Sequence, residues 1–384
     1  SKDMVGITKM KAEKQKAEKE AFFCTTKELS RLGLEQIPTQ FQSHKHLIYS
    51  SPATLAFNSP GAEGFGVKRA GLAVPDSIML IVAPGCCGRN TSLISSMKEY
   101  NDRFYYLMMD ETDIVTGRHL KKIPKAVEEI CSVCPKKPSV VMICITCVDA
   151  LLGTDMERVC KKAEEQVEIP VRPCYMYALT REGRKPPMVH VRQSLYSLLE
   201  PGKKKGNVVN LLGFFSPLVD DCEIYDLLHS AGVKTIHEIS RCKDYMEYQT
   251  MSEANFNLVL HHEARFAAED FHNRLQIPFI ELRRLYQMDK IENQYHALGN
   301  ALGVTFHDEK YKKQAEDALE KFRQKCPDAS FAIGECLNAD PFELALALIR
   351  YGFSVPEIYG TITVENFTYI RSLAKISPKT KVFS

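Results

Sequence analysis

The sequence predicts an α/β protein built from two to three Rossmann-like, doubly wound parallel-sheet domains. Three observations predict it. The chain has 384 residues, more than one hydrophobic core fills, so its apolar side chains divide among several cores. Continuous apolar runs of strand length recur along it, the form taken by strands covered on both faces. Between them lie amphipathic stretches of helical length, and strand and helix in alternation mean parallel sheets with crossover helices.

The clearest strand is Ser77-Ile-Met-Leu-Ile-Val-Ala83, closed by Pro84-Gly85. The same type recurs at Phe104 to Met109, Ser139 to Cys144, Val208 to Phe215, Phe256 to Leu260 and Phe331 to Gly334. Helical patterns occupy Ile123 to Cys131, Met156 to Glu168, Cys222 to Ala231, Glu263 to Leu275, Lys310 to Lys325 and Pro341 to Tyr351. The last of these has its start spelled out: Asp340 as N-cap acceptor, Pro341 in the first turn and Glu343 as capping-box acid. After it come an extended stretch (Phe353 to Tyr359), a helix over Thr363 to Ala374 and a strand from Lys381. The expected organisation is a charged arm and lead-in over 1–50, a first α/β domain over 51–202, a second over 203–327 and part of a third over 328–384. The breaker-rich Pro201-Gly-Lys-Lys-Lys-Gly206 separates the first two domains.

Charge names no partner, since 50 Lys+Arg oppose 48 Asp+Glu for a net +2. The positive runs Lys121-Lys122 and Lys203-Lys204-Lys205 are short and lack interleaved aromatics, so no nucleic-acid partner is expected. The most apolar stretch, Ser139 to Gly153, falls short of the roughly 18 residues of a membrane span and contains Asp149, so no membrane is expected either. Ser1 to Glu20 has no apolar core of the signal-peptide kind, which implies a cytoplasmic protein. In a reducing compartment the 13 Cys read as metal, redox or buried thiols and not as a disulfide framework.

Two strand ends carry the sharpest chemistry. Ile81-Val-Ala-Pro-Gly-Cys-Cys-Gly88 sets two adjacent thiols in a glycine-flanked turn, and Ile143-Cys-Ile-Thr-Cys147 sets another where a second strand ends. Ligands of open α/β sheets bind outside the carboxyl ends of the strands, so Cys86, Cys87 and Cys147 can converge there. Thr154 or Asp155 can cap the following helix, and thiolates beside helix-terminal amides suit an anionic iron-sulfur cluster. Most other cysteines read as small buried side chains, Cys160, Cys174, Cys222 and Cys326 among them. Cys144, three residues before Cys147, points to the opposite strand face and belongs to the core. Cys131-Ser-Val-Cys134 is a CxxC ending a helix, with no second CxxC at zinc-like spacing.

Pro84-Gly85-Cys86, then Thr146-Cys147-x-x-x-Leu151-Leu152-Gly153-x-Asp155, then Asn257-Leu258-Val259 and Ile277-Pro278 resemble the component 1 proteins of nitrogenase and their relatives. These include dark protochlorophyllide reductase subunits, the nickel-tetrapyrrole reductive cyclase and cluster-maturation scaffolds. The similarity runs in order from about Ser50 onward. It implies that Cys86 and Cys147 hold an iron-sulfur cluster at a subunit interface and that an ATP-hydrolysing iron protein feeds it electrons.

Two departures qualify what the resemblance implies. The family's further upstream cysteine has no counterpart, because Ala56-Phe-Asn-Ser-Pro60 contains no thiol. The expectation is therefore a [4Fe-4S] cluster whose four ligands are Cys86 and Cys147 from a homodimer, or from this chain and a related second subunit, with Cys87 as spare or substitute. Aligned on Asn257-Leu258-Val259, Thr235 stands where nitrogenase has its cofactor cysteine; Cys242 is nearby in unmatched surroundings. Dinitrogen reduction is not expected. His261 and His262 after the Asn-Leu-Val strand are candidates for proton delivery or metal ligation, and Arg241 and Arg265 for holding a carboxylated small-molecule substrate. The expected function is a nitrogenase-like oxidoreductase component accepting electrons from an iron protein, or else a non-catalytic scaffold for cluster or cofactor assembly.

Overall fold

The computed structural model describes residues 21–42, 48–49, 66–85, 95–145, 152–176, 178–179, 183–335 and 339–384. The strands in chain order are β1 (Phe23–Thr25), β2 (Ile48–Tyr49), β3 (Ile78–Ala83), β4 (Phe104–Met108), β5 (Val141–Ile145), β6 (Val171–Tyr175), β7 (Ala178–Leu179), β8 (Val208–Leu212), β9 (Thr235–His237), β10 (Phe256–Val259), β11 (Phe279–Glu281), β12 (Ser330–Ile333), β13 (Ser354–Tyr359) and β14 (Lys381–Phe383). They form three four-stranded sheets and the small pair β2–β7. The chain divides into two compact units.

The larger unit, His46–Arg284 with Met288–Glu316, holds two all-parallel sheets. The first has the order β4-β3-β5-β6. All six residues of β3 are buried, and their alternation explains why the run is wholly apolar. Met79, Ile81 and Ala83 face one core while Ile78, Leu80 and Val82 face another. Helices His119–Val133 and Met156–Val167 cover the second of these faces. Asp155 caps the latter helix by accepting from the Arg158 N–H at 3.1 Å.

The second sheet has the order β11-β10-β8-β9. Helices Pro187–Tyr196 and Arg265–Leu275 lie in one continuous core with inner-face residues of both sheets, Met79 and Met142 from the first and Leu212 and Val259 from the second. Tyr196 and Phe271 meet there with ring centroids 5.2 Å apart. Asn210 and Asn257 are register partners in β8 and β10 and both fully buried; Asn210 Nδ2 donates to Asn257 Oδ1 and to the Met251 carbonyl, each at 2.8 Å. Glu200–Gly206, the linking segment, is exposed.

The smaller unit comprises Ser1–Lys45, Leu285–Gln287 and Asp317–Ser384, described from residue 21. Its sheet order is β1-β14-β13-β12, parallel except for β1. Helices Thr26–Leu32, Pro341–Arg350 and Phe367–Ile376 share one core with it, around Leu29, Phe342, Ile358 and Ile370. Asp340 is the N-cap of Pro341–Arg350, accepting from Phe342 and Glu343. Glu343 does not complete the box. Its buried carboxylate instead accepts from the backbone N–H groups of Tyr286 and Gln287 at 2.9–3.0 Å, clamping that short segment. No helix among the described residues is long and apolar enough to cross a membrane.

Candidate functional site

The sequence-predicted metal ligands Cys86, Cys87 and Cys147 lie outside the described residues. What leads into them is described. β3 and β5 are adjacent and parallel, with Val82 opposite Ile145, so the chain leaves both strands at one edge of the sheet. Cys86 follows Ala83 by three residues and Cys147 follows Ile145 by two. β4 ends at the same edge, where the Met109 N–H donates to the Ala83 carbonyl at 3.0 Å. A β-carbon on Gly85 would meet Met108 Cε at 3.0 Å, so the exit from β3 passes close against β4. Among the described residues no three His, Cys, Asp or Glu side chains gather in metal-ligand geometry.

Cys144 is fully buried in β5, paired in register with Cys174 of β6. Burial lifts the Cys174 thiol far above its ordinary range, while a hydrogen bond from Cys174 lowers Cys144. Cys160 is buried as expected and Cys222 partly so, but Cys326 is exposed. It follows the polar helix Glu309–Lys325, none of whose residues is buried.

The carboxyl edge of the second sheet carries a polar cluster. His261 follows β10, and its ring packs edge-on against Phe214 at 5.6 Å and stacks on His262 at 4.5 Å. His261 Nδ1 accepts from the Glu263 N–H at 3.2 Å, which leaves Nε2 to carry the proton of the neutral ring. Burial first, then the positive charges of Arg192, His262 and Arg284, hold its pKa well below the ordinary histidine value. His262 is exposed. Beneath them Arg192, only 5% exposed, bonds Glu263 at 2.7 Å and donates from Nε to the Gly213 carbonyl at 3.0 Å. Sequence reasoning passed over Arg192 and Gly213. Pro187 opens the helix that carries Arg192.

Arg265 and Arg241 each hold carboxylates of the chain itself. Arg265 forks onto Glu281 at 2.6 and 2.9 Å. Arg241 bonds Glu238 at 2.7 Å and Asp220 at 2.8 Å. Thr235 begins β9 opposite Val208, at the amino edge of the sheet and away from His261. Cys242 donates its S–H to the Glu238 carbonyl, and burial with Glu247 and Asp244 nearby pushes its pKa up to about 12.

The family model for nitrogenase component 1 type oxidoreductases matches residues 63–355. The chain belongs to this family. Among family relatives, it is 25% identical over 284 residues to the nitrogenase iron-molybdenum cofactor biosynthesis protein NifE of Nostoc sp., covering 70% of this chain and 58% of that one. To NifE of Clostridium pasteurianum it is 24% identical over 256 residues, covering 65% and 54%. The chain thus spans little more than half the length of these two relatives. A solved structure titled "Nitrogenase Cp1 at pH 6.5" shares the fold, with a TM-score of 0.64 at 18% identity over 88% of this chain and 76% of that one. The component 1 fold expected from sequence is therefore the fold observed.

Proposed function

We propose that this component 1 type chain is a scaffold on which a metal cluster or metal cofactor is assembled and passed on, with an iron-sulfur cluster of its own at a two-fold interface. One observation carries the cluster: the paired carboxyl ends of β3 and β5 open at one sheet edge, immediately before Cys86 and Cys147. A residue spans at most about 3.6 Å, so chain reach alone keeps the α-carbons of both cysteines within roughly 11 Å of those strand ends. Cys86 and Cys147 from this chain and from a second copy or related subunit would supply the four thiolates of a [4Fe-4S] cluster, with Cys87 in reserve. Scaffold rather than catalyst is supported by two features: relatives named for cofactor biosynthesis, and Thr235 on the edge of the sheet opposite the polar cluster.

A second reading, a cytoplasmic reductase component that passes electrons from an ATP-dependent iron protein to a small substrate, is favoured by the neutral His261 beside exposed His262. Such a pair can relay protons to a bound substrate.

Iron and sulfide analysis of anaerobically purified protein tests the shared premise. Cys86→Ala and Cys147→Ala should each strip most of the iron and leave the fold, and full iron in both variants would discard the ligand assignment. Light scattering should find a dimer or a pair with a related subunit. The reduced protein is then offered small substrates and, separately, a cofactor-deficient component 1 acceptor. Metal transfer to the acceptor supports the scaffold, whereas substrate-dependent reoxidation overturns it in favour of the reductase.

A further inference from the structure

We propose that Cys131 and Cys134 form a redox-active dithiol that closes to an intrachain disulfide by exchange with a low-molecular-weight disulfide of the glutathione class. The pair sits at the end of helix His119–Val133, where Tyr105 of β4 meets it. Tyr105 is the second residue of β4 and lies opposite Leu80, toward the amino edge of the first sheet. Cys86 and Cys147 follow the opposite ends of these strands, so the dithiol is independent of the proposed cluster.

The helix end supplies proximity and freedom together. Residues three apart on a helix have β-carbons about 5–6 Å apart, and a disulfide needs about 3.5–4.5 Å. Closure therefore asks for a shift of roughly 1–2 Å. Cys134 can make it, because it has already left the helix at φ −61°, ψ 132° while its N–H stays tethered to the Ile130 carbonyl. Val133 beside it is 67% exposed, and Cys131 and Cys134 touch the core of the first sheet only as partly buried side chains at its margin. Both thiols are partly exposed, unlike the buried Cys144, Cys160 and Cys174.

The neighbours set the order of attack. The Tyr105 hydroxyl lies 3.1 Å from Cys134 Sγ. Its own pKa is pushed up to about 12, first by this hydrogen bond, so it keeps its proton and donates to the sulfur as negative charge builds there. Burial first, then the charge of Cys134, raises Cys131. Cys134 is thus the attacking sulfur and Cys131 the resolving one. In the first step the Cys134 thiolate bonds to one sulfur of oxidised glutathione and expels one glutathione thiolate. Cys131 then displaces the second glutathione, and the protons of the two protein thiols end on the two released glutathiones. One protein dithiol is oxidised and one glutathione disulfide reduced.

The test uses the full chain, purified anaerobically, incubated with oxidised glutathione, acid-quenched, alkylated and digested with trypsin. Both cysteines fall in one peptide, Ala126–Lys136. Its expected form is unalkylated and lighter by two hydrogens, while exposed Cys326 takes up glutathione and serves as reagent control. Cys131→Ser should trap a glutathione adduct on Cys134. Cys134→Ser should slow exchange at Cys131 about tenfold, and Tyr105→Phe should slow closure roughly threefold to tenfold. An Ala126–Lys136 peptide that stays doubly alkylated while Cys326 is fully modified overturns the proposal. So does an adduct on wild-type Cys134 that never resolves, or closure that is indifferent to Tyr105→Phe.

Discussion

A β-carbon placed on Gly213 would lie 2.7 Å from the backbone nitrogen of His261. The exits from β8 and β10 are that close, and Gly213 holds φ +137° to make the approach. Gly213→Ala meets both the clash and the strained dihedral, so it should lower stability by about 2–4 kcal/mol. Urea unfolding reads it; an unchanged midpoint would mean the two loops part without cost.

Arg192 is the strut under the same cluster. Arg192→Met leaves the Gly213 carbonyl without its guanidinium and Glu263 without its partner in a largely buried setting, at an expected cost of about 3–5 kcal/mol. Glu263→Gln keeps an oxygen for the hydrogen bond and should cost far less. Equal losses from the two variants would show the charge of Glu263, and not satisfaction of Arg192, to be the dominant effect.

The depressed pKa of His261 has a defined sign. Above about pH 6.5 the ring is neutral both folded and unfolded, so it contributes no slope. Below that the unfolded chain takes up a proton that the folded site resists, and stability falls with pH. His261→Asn retains an acceptor for the Glu263 N–H and cannot titrate. Unfolding midpoints from pH 8 to 5.5 should decline less steeply for this variant than for wild type; parallel declines would remove His261 from the acid response.

No GxxxxGK[ST] loop occurs in the sequence, so the chain itself is not expected to hydrolyse ATP. If an iron protein is the electron source, reduction of the cluster should require both that partner and ATP. Equal rates with the partner's ATP site disabled would leave a simple redox carrier.

What was legible in the sequence is what burial imposes on composition. β3 announces itself because a strand sandwiched between two cores tolerates only apolar side chains on either face. β6 does not, since Arg172 and Pro173 interrupt it; Arg172 reaches outward to Glu164 at 2.6 Å. Helix Met288–Leu302 also went unread, its apolar positions diluted by Asn293, Gln294 and His296. Arg241 and Arg265 were visible as cations, but besides the local Glu238 the carboxylates that occupy them, Asp220 and Glu281, stand 21 and 16 residues away in the chain, and no local pattern announces those two pairings. Glu343 reads as a capping-box acid, yet its actual partners are Tyr286 and Gln287, more than 50 residues upstream.

The antiparallel seam between β1 and β14 bears on how the smaller unit is made. Thr26 Oγ1 donates to the Ser377 carbonyl across 351 residues of chain. Ribosomes add about 5–20 residues per second, so on the order of 20–70 seconds separate the synthesis of these two partners. Throughout that interval Phe23 waits without Phe383 of the strand that will hold it, an apolar side chain open to chaperones and to the same segment of a neighbouring nascent chain.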